Sequence, residues 1–341
     1  MAHSRFILFL VVFSFIVGCK KSSDFGYSPI NNKQTLTYID NQGDIKFTLN
    51  DWRGFAFNES LARVQNSNGC NFINHKGKLV SKTPFQSCLN FENGFAAIQL
   101  NDKWGFINVK GKIVIEPAYA NVQSFSSGFA LVKKEGLYYY INREDELLKQ
   151  EGLPVAFSFS EGLALTYVND KAQFINDMGE IILNPKVDCS SFHENKALYQ
   201  DLKNDSIYVN GFIDKNGNRL FESSERFFND FSEGMSIFHN NTKSSWGSID
   251  SFGNTLFTLD SMYEMSNFKN GLSKVTKRQY SNGRHIDKYG FVDRNGQYVI
   301  PPTLDYASNF TNGLAWVSSS HGSGYMNTKG DWIYRKGSAS P

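Results

Sequence analysis

The chain is poor in the clusters that catalytic and metal-binding proteins usually display. Its 341 residues include only six His and four Cys. No Cys-x-x-Cys occurs, so a metal knuckle or a redox motif has no support. No P-loop, His-Glu-x-x-His or Gly-x-Ser-x-Gly is present. His193, His239, His285 and His321 are scattered without partner spacing, and His75 falls in a hairpin turn where water surrounds it. Net charge is nearly absent: 35 Lys and Arg face 33 Asp and Glu, giving +2 with no basic stripe. Nucleic acid is therefore excluded as a partner. Helical periodicity with caps is missing, and the best candidate, around Glu144–Glu151, allows one or two turns at most.

What is abundant points to strands. The chain holds 30 Phe, 16 Tyr and 28 Gly, an aromatic and Gly-rich composition suited to short strands and turns. One run stands apart. Phe6–Val17 is apolar over 12 residues, follows a short basic start and precedes Gly18-Cys19. It is too short for a bilayer-spanning helix and has the length of a signal-peptide core. Small Gly18 before Cys19 resembles the lipobox of a bacterial lipoprotein, which implies cleavage of residues 1–18 and acylation of Cys19. Residues 19–34 then read as the lipidated Cys and a flexible tether. Lys20 and Lys21, with no acid beside Cys19, lean toward an outer-membrane destination. Three thiols remain, an odd number for an exported protein. Cys70 and Cys88 lie within one period and are the candidate pair, with Cys189 left as a small buried hydrophobe.

The rest of the chain repeats. A short aromatic strand ending in Asn or Asp recurs nine times, from Tyr38–Asp40 through Phe106–Asn108 to Tyr325–Asn327. The first five copies are 34 residues apart, and insertions widen later spacings. A Gly usually follows three residues after the Asn or Asp, as in Asn108-Val-Lys-Gly111. That pattern makes a type I turn closed by a left-handed residue and joins two antiparallel strands. Asp145 replaces the Gly in the fourth copy, where a looser turn is expected. In step with this signal runs Phe-x-x-Gly, as at Phe125 and Phe159. One unit thus reads as three short strands, a meander too small to bury its own face. Residues 35–336 form about eight and a half such units, and 337–341 a disordered tail. The fold expected is all-β: tandem hairpin repeats in an open or superhelical array, with a closed propeller-like ring as the alternative. The open form is favoured because propeller blades usually take four strands and 40 or more residues.

Lys103-Trp104-Gly105-Phe106-Ile107-Asn108, with Gly111-Lys112 and Pro117 following, resembles the WG (KWG) repeat family. The resemblance implies an all-β repeat fold and a non-catalytic binding or scaffolding role, with no cofactor.

The aromatic residues have two readings. Most fill layers between units. A row of exposed rings, with Tyr138, Tyr140 and Trp316 as candidates, would instead stack a ligand. DKNGN (Asp214–Asn218) and VDRNG (Val292–Gly296) hint at calcium loops but lack the distal Glu, so turn chemistry explains them. The protein is expected to be a lipid-anchored, non-enzymatic module of the bacterial envelope. Its partners are expected to be the membrane, through Cys19, and an envelope protein, peptide or glycan. The alternatives are an envelope glycan or peptide hydrolase on a propeller-like ring, and a structural stalk.

Overall fold

The computed structural model describes residues 26–203, 207–260, 262, 264–281 and 283–336. Cys19, the signal segment and the tail 337–341 lie outside the described residues. Among the described residues are 33 strands and no helix. The strands form nine antiparallel sheets, each built from consecutive strands. The sheets are the blades of a nine-bladed propeller, so the ring replaces the open array.

The reason lies in strand length. Six blades begin with a strand of only two residues, such as Ser87–Cys88, Val155–Ala156 and Tyr306–Ala307. Two residues carry no periodicity, so a unit that reads as three strands is in fact four. Blade 3 shows the arrangement: Ser87–Cys88, Phe95–Leu100, Lys103–Asn108 and Ile113–Tyr119 pair in order.

The repeated Asn or Asp closes the turn after its strand in every blade, leading to a further strand except in blades 2 and 4, where the isolated bridges Ile73–Leu79 and Ile141–Leu147 follow it. In blade 3 the Asn108 carbonyl accepts from Gly111 N at 2.8 Å and its side chain accepts from Lys110 N at 3.0 Å. Asp145 adopts φ 65° and its N–H still reaches the Asn142 carbonyl at 3.2 Å. The turn expected to be looser is kept. Asp145 also accepts a 2.5 Å hydrogen bond from Tyr119 in the preceding blade.

At Asp250 the same turn makes a pH-dependent contribution. The Asn254 side-chain amide leads, and backbone N–H groups of Asn254 and Phe252 add to it against desolvation, so the carboxyl stays below its ordinary 3.8. A depressed pKa means stability that is present above the unfolded value and lost as pH falls through the folded one. Asp250→Asn is therefore expected to show a smaller drop in urea midpoint than the parent between pH 6 and pH 3.

Gly105 of the Trp-Gly dipeptide has a different task. A Cβ there would sit 2.4 Å from the Ile115 carbonyl oxygen. The fourth strand folds across this position, where its register jumps from Ile115↔Phe106 to Tyr119↔Trp104. Only a missing side chain admits that approach.

Between blades the core is aromatic. A third-strand ring of one blade meets the Phe of the next blade's first turn: Phe72–Phe91 at 4.7 Å, Phe106–Phe125 at 4.9 Å, Tyr140–Phe159 at 4.9 Å, Phe212–Phe231 at 4.8 Å. Blade 7 carries Ser248 at that third-strand position; it is fully buried and its hydroxyl bonds to the Ser236 carbonyl.

The sequence period and the blade are out of phase. The terminal half unit is the third and fourth strand of blade 9, and Ser28–Asn31, expected in the tether, is a strand of blade 1 paired with Thr35–Ile39. Among the described residues the ring closes without strand exchange. Tyr325 donates to the Pro29 carbonyl at 2.8 Å, and Ile30, Ile39, Leu314 and Tyr325 bury together across the seam.

Candidate ligand-binding channel

Three cavities draw on residues from several blades at once, chiefly from first strands and the turns after them. The first strands therefore face the axis, and the turns ring one mouth of the channel. Eight of these turns place two successive residues at positive φ, for example Asn93 and Gly94. This is the two-residue hairpin geometry that matches strand twist. Side chains link turn to turn around the mouth. Glu59 accepts from Asn93 N and Gly94 N at 2.5 and 2.8 Å, and Glu233 accepts from Asn270 N and Gly271 N at 2.7 and 2.8 Å.

Blade 1 breaks the pattern. Its three described strands correspond to the second, third and fourth of other blades, and none of the eight turns belongs to it. The consequence is visible at Asn312 in blade 9. Its counterpart Asn93 donates through Nδ2 to the Phe125 carbonyl of the next blade at 2.7 Å. Asn312 Nδ2 is buried with no partner among the described residues. An orphaned buried donor is costly, and this one lies in a cavity wall.

Two adjoining cavities of about 700 and 800 Å³ open there, lined by blades 8, 9, 1, 2 and 3. Their walls share Phe55, Ala56, Lys269 and Thr311. Asn41, Asn58, Asn90, Asn270 and Asn312 line the larger; Tyr306, Trp316 and Arg53 line the smaller. Among the described residues neither lining contains Asp, Glu or His. Neither Arg53 nor Lys269 has an acidic partner among the described residues.

Phe55 is held in place by its surroundings. The first strand of blade 2, Arg53–Asn58, is six residues long, and its register slips between Gly54 and Phe57. That bulge leaves Phe55 and Ala56 unpaired on the channel side. Tyr38 clamps the bulge by donating to the Phe55 carbonyl at 2.7 Å. The Arg63 guanidinium sits 3.7 Å from the Phe55 ring centroid and donates to Asn90 Oδ1 and the Cys88 carbonyl, each at 3.2 Å. Burial lowers the Arg63 pKa, yet a guanidinium stays charged throughout the working range.

The aromatic residues singled out in the sequence separate here. Trp316 lines the smaller cavity, half-buried, with its ring 5.0 Å from Tyr325. Tyr140 is 3% exposed, packs on Phe159 and donates to the Phe157 carbonyl at 2.7 Å; a core side chain cannot present a stacking face. Tyr138 lies half-buried against Leu153, away from Trp316, with the Lys133 ammonium 4.9 Å from its ring centroid. Phe55, Lys269 and Asn312 are not legible as site residues, because a bulge and the meeting of separate blades leave no local pattern.

On the other side of the channel, Ser190 donates to Asp230 Oδ1 at 2.8 Å and His193 Nε2 lies 3.7 Å from Asp230 Oδ2. The hydroxyl is directed at the carboxylate, not at the imidazole, and it also accepts from Leu198 N at 3.0 Å. This is a turn-fixing network rather than the order a nucleophile needs. Among the described residues no group of three His, Cys, Asp or Glu could hold a metal. Cys70 and Cys88 are joined in a disulfide between blades 2 and 3. Cys189 is half-buried rather than buried, and burial pushes its thiol up to about 12.

Comparison with curated proteins gives no match. Among solved structures, one described as a eukaryotic initiation factor superposes with a TM-score of 0.61 at 9% identity, covering 89% of this chain and 96% of that one. BamB from Moraxella catarrhalis gives a TM-score of 0.44 at 8% identity, covering 73% and 87%. The first likeness shows the fold alone. The family model for the WG containing repeat matches residues 72–104, 104–138 and 289–319. Each matched stretch begins in the third strand of one blade and ends in the next, so the chain carries WG containing repeats that straddle the blades of a propeller.

Proposed function

We propose that the protein is a membrane-tethered binding module of the bacterial envelope that takes an extended polar polymer at the channel mouth, without catalysing a reaction on it. The observation that carries this reading is the pair of adjoining cavities beside blade 1. Their amide groups offer paired donors and acceptors, and Phe55, Tyr306 and Trp316 offer ring faces. Clefts of several hundred cubic ångströms with a few convergent polar groups are the usual form of a ligand site. A lining without carboxylate or imidazole suits retention better than hydrolysis, which needs a positioned acid and base.

The test uses the chain from residue 20 onward on an array of envelope glycans. Retention of a subset is expected, with Phe55→Ala weakening it at least about tenfold. Equal retention by both proteins would remove the channel from the reading. The tether rests on Cys19 and the apolar run before it. Cys19→Ala is expected to move the protein from the membrane pellet to the soluble fraction; a variant that still pellets refutes the anchor.

A further inference from the structure

We infer that the channel-mouth site selects a carboxylate-bearing glycan, a polymer of acidic sugars, over its neutral counterpart. This deepens the binding reading above and rests on it. Charge around the mouth is uneven. The sector formed by blades 8, 9, 1 and 2 presents Arg53 and Lys269 to the cavities, with no carboxylate in either lining among the described residues. Beneath Phe55, Arg63 adds a third cation whose partners are an amide oxygen, a carbonyl and a ring. Of the nearby acids, Glu59 of blade 2 and Glu233 of neighbouring blade 7 already each hold two backbone N–H groups, Asp305 ahead of the first strand of blade 9 is paired with Lys288, and Glu264 in the first strand of blade 8 lines neither cavity. Asn312 Nδ2 adds an unpartnered donor. The sector therefore offers donors and positive charge in excess of acceptors, and a ligand that fits must bring oxygens and negative charge.

The same sector disfavours an extended peptide. Peptides that dock on sheets do so by adding a strand to a free edge. Here the axial strands of blades 8 and 9 have two residues each, and the longer edge in blade 2 is already engaged, since Asn31 bonds both N–H and carbonyl of Gly54. Sugar rings need no strand edge. They need ring faces and amides, which Phe55, Tyr306, Trp316 and the asparagines provide.

The test titrates the chain from residue 20 onward with tetragalacturonic acid and with its methyl ester, following tryptophan fluorescence at two salt concentrations. The acid is expected to bind at least about tenfold more tightly than the ester, and its affinity to fall with salt. Lys269→Gln is expected to lower the acid's affinity far more than the ester's, erasing most of the acid's advantage, whereas Phe55→Ala weakens both alike. An ester that binds as tightly as the acid, with Phe55→Ala still weakening it, would overturn the charge selection and leave the binding module standing. Binding of neither oligomer, or an acid affinity indifferent to Lys269→Gln, would overturn the inference as well. Circular dichroism of each variant shows that the ring is intact.

Discussion

Phe106→Ala is expected to cost about 3–5 kcal/mol, the range for deleting a buried aromatic side chain. Phe106 is fully buried and stands in the third strand of blade 3. Its ring meets Phe125 of blade 4 at 4.9 Å, and Ala97, Ile115, Val122 and Ile141 close around the pair. The deletion therefore opens a cavity between two blades, not within one. Neither sheet can collapse into it without tilting against its other neighbour. The expected readout is a lower urea midpoint at unchanged slope. Phe252→Ala supplies the contrast. That ring sits on a turn apex and is 82% exposed, so its removal is expected to stay within about 0.5 kcal/mol. Equal effects at the two sites would refute the assignment of stability to the inter-blade aromatic layer.

Opening the Cys70–Cys88 disulfide is the second large change. The bond joins the third strand of blade 2 to the first strand of blade 3, and 18 residues separate its ends in sequence. Loop-closure entropy for that length corresponds to about 3 kcal/mol of stability. Both cysteines also pack in one apolar cluster with Phe72 and Phe91. A Cys70→Ala, Cys88→Ala double variant should match the reduced parent, since Ala leaves no polar group in that cluster. Mass spectrometry of the unreduced, alkylated chain from residue 20 onward should find one label, on Cys189. Labels on all three thiols would remove the bond from the account.

Much of this architecture could be read locally. Asn108 and Gly111 announce a turn because both act within four residues. The same holds for the other copies, even where Asp145 stands in for Gly. The period of 34 residues was legible for the same reason. Closure was not. Whether stacked sheets curve into a ring depends on how Phe106 wedges against Phe125 and how closely Ile115 can approach Gly105, and both contacts lie between elements. The axial strands escaped notice because two residues cannot show alternation. Of the three rings named as stacking candidates, Trp316 lines a cavity and Tyr138 lies apart from it. Tyr140 was misjudged, because three consecutive tyrosines hide which of them the register turns inward. Phe55 owes its position to a bulge against the second strand of blade 2 and to the Tyr38 hydrogen bond from blade 1, neither of which leaves a signature in the residues themselves.

The self-contained blades have an evolutionary consequence. Many closed rings are latched by a sheet that borrows its last strand from the far end of the chain, which fixes the number of modules. Here, among the described residues, every sheet comes from one stretch of consecutive strands, and the join is made by Tyr325, Ile30 and Leu314 side by side. Duplication or loss of one 34-residue genetic unit would insert or delete a complete wedge and leave no orphan strand behind. The bore of the ring can therefore drift between descendants by whole modules, and with it the girth of whatever passes or lodges at its centre.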